Sequence, residues 1–170
     1  MRRLTRALTE VAAAGAAAAI AVAMAAIPAT AAPPATLSID GHLQPVPNLN
    51  ILHITATGEQ SADGTATGSY TAQAEFGNMP LPITVAGPIT CLSFDGPTAS
   101  LIYPITGTDP MLVPGSLSGA AAVQITVTQG HGGGPDHVGL IGPMPTSNFH
   151  GCAPGPTPFV FDGTIDIAGG

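Results

Sequence analysis

The clearest periodicity in the chain lies in TATGSYTAQAEF, residues 65–76, where Ala66, Gly68, Tyr70, Ala72, Ala74 and Phe76 alternate with Thr65, Thr67, Ser69, Thr71, Gln73 and Glu75. A period of two sends the first set to one face of a β-strand and the second to the other, which predicts one buried and one wet face. The preceding run NLNILHITATG, residues 48–58, is β-branched and apolar, and EQSADG separates the two. Together they predict a hairpin. LPITVAGPITCLSFDG, residues 81–96, carries Pro82 and Gly87-Pro88 inside strand-like composition. That pattern predicts a short edge segment, a kink and a core strand from Ile89 to Phe94.

Asp95-Gly96-Pro97-Thr98 has turn chemistry, so TASLIYPIT, residues 98–106, is expected to return antiparallel beside the cysteine strand. Pro104 predicts that this strand ends early or lies at an edge. Residues 107–119 read as a loop rich in Gly, Pro and Asp. AAAVQITVTQG, residues 120–130, follows as a strand with Val123, Ile125 and Val127 on one face. After HGGGPDH, residues 131–137, come a short VGLI strand and a Pro/Gly-rich loop over 142–158. FVF, an Asp162-Gly163 turn and TIDI close the chain. No stretch beyond the N-terminal region has helical periodicity. Seven or eight short strands joined by turns predict an all-β domain, either a single antiparallel β-sandwich or a closed barrel.

The N-terminal region stands apart. Arg2, Arg3 and Arg6 precede an alanine-rich apolar run from Val11 to Ile27, followed by Ala29-Thr30-Ala31. This is the layout of a secretory signal, predicted to span residues 1–31 and to leave a β-domain of 32–170. The run is short and weakly hydrophobic for a retained membrane span, and none follows it. Arg2-Arg3 suggests twin-arginine export, but the residues flanking the pair do not support it, so the export route stays open. No cysteine near the cleavage point provides for a lipid anchor.

Cleavage transforms the charge. All three cationic side chains of the chain lie in the leader, and of its ten acids only Glu10 does, so the domain keeps nine carboxylates and neither Lys nor Arg. Nucleic acid is excluded as a partner, because phosphates need cationic side chains to neutralise them. Anionic membranes and phosphorylated cofactors are disfavoured for the same reason. Only histidine supplies positive side-chain charge. Two cysteines, Cys91 and Cys152, in an exported chain predict one disulfide.

The order of GPITCLSFDG, a returning strand, VQITVTQGHGGGPDHVGL, a lone cysteine and a final strand pair resembles a group of small secreted actinobacterial all-β proteins to which no activity is assigned. The resemblance runs from Ala56 to Ile167. Its most specific parts are Ile89-Thr90-Cys91-Leu92 and Pro135-Asp136. It implies fold and location, and carries over no catalytic residue.

The densest candidate chemistry is HGGGPDH. His131, Asp136 and His137 offer two imidazoles and a carboxylate, a donor set suited to zinc, copper or nickel, with His150 or His53 as a further ligand. In an extended strand, however, Asp136 and His137 point to opposite faces. The plainer reading is a hairpin turn in which three glycines permit positive φ and Asp136 caps the loop through backbone amides. A His-Gly-Gly-Gly segment also occurs as an oxyanion hole in esterases, but that chemistry needs a nucleophile elbow. Gly115-Ser116-Leu117-Ser118-Gly119 has leucine where the serine belongs. Asp162 and Asp166 form a carboxylate pair of the kind glycosidases use, yet the alternation of Asp166 with Ile165 and Ile167 sends it to solvent. Leu81-Pro82-Ile83-Thr84 falls short of a sortase signal. The sequence thus predicts a secreted or cell-envelope structural or binding module with no catalytic residues and no identified ligand. The alternatives are a small extracellular divalent-metal-binding protein using His131, Asp136, His137 and His150, and an extracellular hydrolase.

Overall fold

The computed structural model describes residues 33–112 and 114–169, so the leader and its cleavage point lie outside the described residues. Ten strands run in chain order: β1 (Ala35–Gln44), β2 (Leu52–Gln60), β3 (Ala66–Phe76), β4 (Met79–Pro88), β5 (Cys91–Asp95), β6 (Thr98–Pro104), β7 (Gly107–Asp109), β8 (Ala121–Thr128), β9 (Asp136–Pro145) and β10 (Phe159–Ala168). The only helical elements among the described residues are two single 3-10 turns, Gly115–Leu117 and Thr146–Asn148. The strands form one antiparallel sheet in the order β5-β6-β8-β9-β10-β1-β2-β3-β4-β7.

The expected hairpin of residues 48–76 is present as β2 and β3, in register from Leu52 opposite Ala74 to Gln60 opposite Ala66. The expected return beside the cysteine strand is present as β6, which places Ile102 opposite Cys91 and ends at Pro104. The strand count and the architecture are corrected. The sheet has ten strands where seven or eight were expected, and it is open rather than a closed barrel or two separate sheets. The two edge strands, β5 and β7, are not paired with each other. Past Pro104, Thr106 N–H donates to the Ala86 carbonyl at 3.0 Å, and β7 lies along β4.

Only three residue pairs join β9 to β10, in the middle of the sheet. Its two halves face each other across one core. Leu37, Ile39 and Leu43 of β1, Ile54 of β2 and Tyr70 of β3 pack with Leu101 and Tyr103 of β6, Val123, Ile125 and Val127 of β8, and Val138 of β9. Val123, Ile125 and Val127 share the inward face that their spacing predicts.

Strand β1 was absent from the sequence reading, and the expected Asp162-Gly163 turn is the middle of β10. One contact explains both. Gly41 of β1 lies directly opposite Gly163 of β10, and a Cβ on Gly163 would fall 2.3 Å from the Asp40 carbonyl oxygen. Both Asp-Gly pairs therefore serve close approach of two backbones, not chain reversal. Likewise Pro82 does not end β4. It sits in a bulge, between the pairs Glu75–Pro80 and Gln73–Thr84, where its missing N–H breaks no ladder bond. Beyond the bulge Phe76, expected on the buried face, is 65% exposed at the hairpin tip beside Met79.

β6 and β8 are buried on both faces, which accounts for their nearly continuous apolar composition. Core side chains cover one face. The irregular segment before β10 covers the other, tied down by the Cys91–Cys152 disulfide with Cα atoms 6.0 Å apart. Beneath it Ser100 Oγ accepts from Gln124 Nε2 at 2.8 Å and from Thr126 Oγ1 at 3.2 Å, while Gln124 Nε2 also donates to the Ala153 carbonyl at 2.8 Å. Gly155 N–H donates to Thr126 Oγ1 at 3.0 Å. Every polar group this cover buries beside Ser100 thus has a partner, as burial away from water requires.

Candidate functional site

HGGGPDH joins β8 to β9 as a loop closed on itself. Gly134 N–H donates to the His131 carbonyl at 3.1 Å, and Gly130 N–H to Asp136 Oδ1 at 2.7 Å. Gly132 and Gly133 have φ of 65° and 83°, a region that glycine enters without steric cost. Asp136 thus does what a carboxylate in a turn does well, holding a backbone amide that has no ladder partner. His131 is exposed at the turn. His137 is half-buried on β9 opposite Thr128 and Val160.

His150 lies on the covering segment, its Nδ1 3.1 Å from the Asn148 carbonyl. It borders a surface hollow with Met144 and Phe149, whereas Asp136 borders a different one with Gln44 and Asp162. The four residues suggested as ligands, His131, Asp136, His137 and His150, are therefore not gathered around one hollow. Among the described residues no group of three or more His, Cys, Asp or Glu side chains is arranged to hold a metal ion. Asp162 and Asp166 both face outward from β10, and Asp162 Oδ2 takes a hydrogen bond from Gln44 Nε2 at 3.3 Å. Ser116 is exposed in the first 3-10 turn.

The most concentrated chemistry lies elsewhere, on the outward face of β1, β2 and β3. His42 and His53 stand opposite one another in register, their rings stacked with centroids 4.7 Å apart and planes 21° from parallel. Each imidazole is held by its own carboxylate. His42 Nδ1 lies 2.8 Å from Glu75 Oε2, and His53 Nε2 lies 2.9 Å from Asp40 Oδ1. The Glu75 side chain is only 8% exposed and Asp40 is open to solvent at 66%, so one end of this row is sheltered and the other is wet. When either ring is protonated, its carboxylate supplies the counter-charge, in a domain with no Lys or Arg to do the reverse.

This row is poorly shaped for a metal. Stacked imidazoles direct their in-plane lone pairs side by side, not toward a common point, and one nitrogen of each ring already meets a carboxylate. The signal for the row was present in the sequence. In LSIDGHLQ, residues 37–44, Leu37, Ile39 and Leu43 alternate with Ser38, Asp40, His42 and Gln44, which puts Asp40 and His42 on one outward face. What the alternation alone does not contain is that β2 lies alongside with His53 in register.

Comparison with protein-family models, with curated proteins and with solved structures found no match to the chain.

Proposed function

We propose that this protein works outside the cytoplasm, at the cell envelope or beyond it, as a disulfide-stapled structural or binding module without catalytic residues of its own. The observation that carries the reading is the Cys91–Cys152 bond, which fastens an irregular segment over the outer face of β6 and β8. Such a bond persists in oxidising compartments and is rare in the cytosol. Among the described residues no helix is long and apolar enough to cross a membrane. The basic, alanine-rich start of the chain supplies a route out, and the cation-free, acidic domain suits a soluble partner or neutral ligand better than an anionic surface.

The test is expression of the full chain, leader included, in a bacterial host, followed by fractionation and mass spectrometry. The expected product is found outside the cytoplasm, begins near Ala32 and has no free thiol. A product kept in the cytoplasm with residues 1–31 attached and both thiols free would overturn the reading.

A further inference from the structure

A two-electron oxidant finds few side chains to attack in this domain. Both cysteines are spent in the disulfide, the chain has no tryptophan, and its two tyrosines, Tyr70 and Tyr103, are buried in the core. That leaves the thioethers. Met1 and Met24 fall in the leader, so the domain has Met79, Met111 and Met144. Met79 is 64% exposed and Met111 83%, whereas Met144 is half-buried beside Phe149 in a hollow of the cover. Met79 opens β4 directly opposite the exposed Phe76. Met111 follows β7, the edge strand paired with β4, and precedes the exposed Leu112. Two thioethers and two further apolar side chains thus stand in water near one edge of the sheet.

We propose that Met79 and Met111 are the sites at which hydroperoxides oxidise the folded domain, and that their conversion to sulfoxides turns this apolar edge polar without disturbing the core. The proposal goes beyond the reading of the protein as an exported module and depends on neither export nor processing. With hydrogen peroxide, a sulfur lone pair attacks one peroxide oxygen, so that an S–O bond forms as the O–O bond breaks. The sulfur gives two electrons to the peroxide, and the departing hydroxide takes the proton left on the transferred oxygen and leaves as water. The product is a polar group where an apolar one stood. In a core that change disrupts packing, because the new dipole loses its hydration. Neither Met79 nor Met111 belongs to the core, so their sulfoxides remain hydrated in place. Sulfoxide reductases return the thioether, one enzyme for each epimer, which makes the modification reversible.

The test exposes the disulfide-intact protein to hydrogen peroxide and samples it over time. Peptide mapping by mass spectrometry locates each added oxygen, circular dichroism follows the sheet, and retention on a phenyl column reports surface apolarity. Met79 and Met111 are each expected to gain one oxygen severalfold faster than Met144. Retention should fall as they react, while the thermal midpoint stays where it was. Treatment with both sulfoxide reductases should restore mass and retention together. A Met79→Leu/Met111→Leu variant should fold normally and keep its retention through the same exposure, which ties the change in surface to these two side chains. Oxygen entering Met144 or a tyrosine as fast as the exposed pair would overturn the proposal. So would retention that does not respond, or loss of the sheet signal in step with oxidation of Met79 and Met111.

Discussion

The rings of Tyr70 on β3 and Tyr103 on β6 stack with centroids 3.7 Å apart, joining two strands that share no ladder. Burial raises both phenols: Tyr103 to about 12, and Tyr70 well above its ordinary value, with the neighbouring Tyr103 adding to the effect. The fold therefore favours the neutral phenols. Their contribution to stability is full below the unfolded value near 10 and is lost as pH rises toward and through 12. Alkaline titration should show tyrosinate absorbance rising together with loss of the β-sheet circular dichroism signal, both above pH 10. A Tyr70→Phe/Tyr103→Phe double variant should hold its sheet signal to higher pH than the parent. Tyrosinate appearing near pH 10 in a fully folded protein would contradict this account.

Removing the disulfide should release the cover before the core. Cys91 and Cys152 are 61 residues apart, for which the chain-entropy account gives about 4 kcal/mol of stabilisation. A Cys91→Ser/Cys152→Ser variant is expected to lose roughly that much in urea unfolding. Its amide exchange should rise first at Gly155, whose N–H is bonded to Thr126 under the cover. Equal midpoints for oxidised protein and variant would show that the bond does not restrain the chain.

Gly163 should tolerate no side chain. A Cβ there meets the Asp40 oxygen at 2.3 Å and Gly41 Cα at 2.5 Å, both backbone atoms that cannot swing aside. Gly163→Ala is expected to cost about 1–3 kcal/mol, the usual range for overpacking, or more. Gly64→Ala, in the β2–β3 loop with nothing within 4 Å, makes an informative contrast. It keeps the strain of a φ of 84° without any clash, so it should cost less in thermal unfolding.

Asp136 should matter for the loop and little beyond it. Its bond to Gly130 N–H is charge-assisted, and Asp136→Ala is expected to lower stability by about 1.5–3 kcal/mol and to speed amide exchange at Gly130. His131→Ala, exposed at the same turn, should change stability by less than about 0.5 kcal/mol. Equal effects from the two substitutions would remove the special role given to the carboxylate.

Beneath the cover, Ser100 is the shared acceptor of two buried donors and itself donates to the Ile125 carbonyl at 3.2 Å. Ser100→Ala leaves Gln124 and Thr126 short of a partner, so a loss of about 1–3 kcal/mol is expected in chemical denaturation. A Ser100→Ala/Gln124→Leu double variant should lose less than the sum of the two single changes, because both act on one network.

Much of this protein was legible from side-chain order alone. The alternation through Tyr70 and Ala72, the Val123-Ile125-Val127 face, the early end at Pro104 and the two cysteines determined an antiparallel all-β chain with one bridge, because strand parity, turn chemistry and thiol pairing are local properties of residues. The loop role of HGGGPDH was legible for the same reason. Tertiary structure decided whatever depends on which strand lies beside which. It made Asp40-Gly41 and Asp162-Gly163 strand interiors, since glycine serves a close approach as readily as a turn and only the facing backbone distinguishes them. It left β5 and β7 as the edges of an open sheet, since which strands pair depends on the whole chain and not on any one segment. It also gathered His42, His53, Asp40 and Glu75 into one row through the pairing of β1 with β2 and β2 with β3, and it brought Tyr70 against Tyr103 across strands that share no ladder, because strand pairing and the packing of one half of the sheet on the other are not local properties of residues.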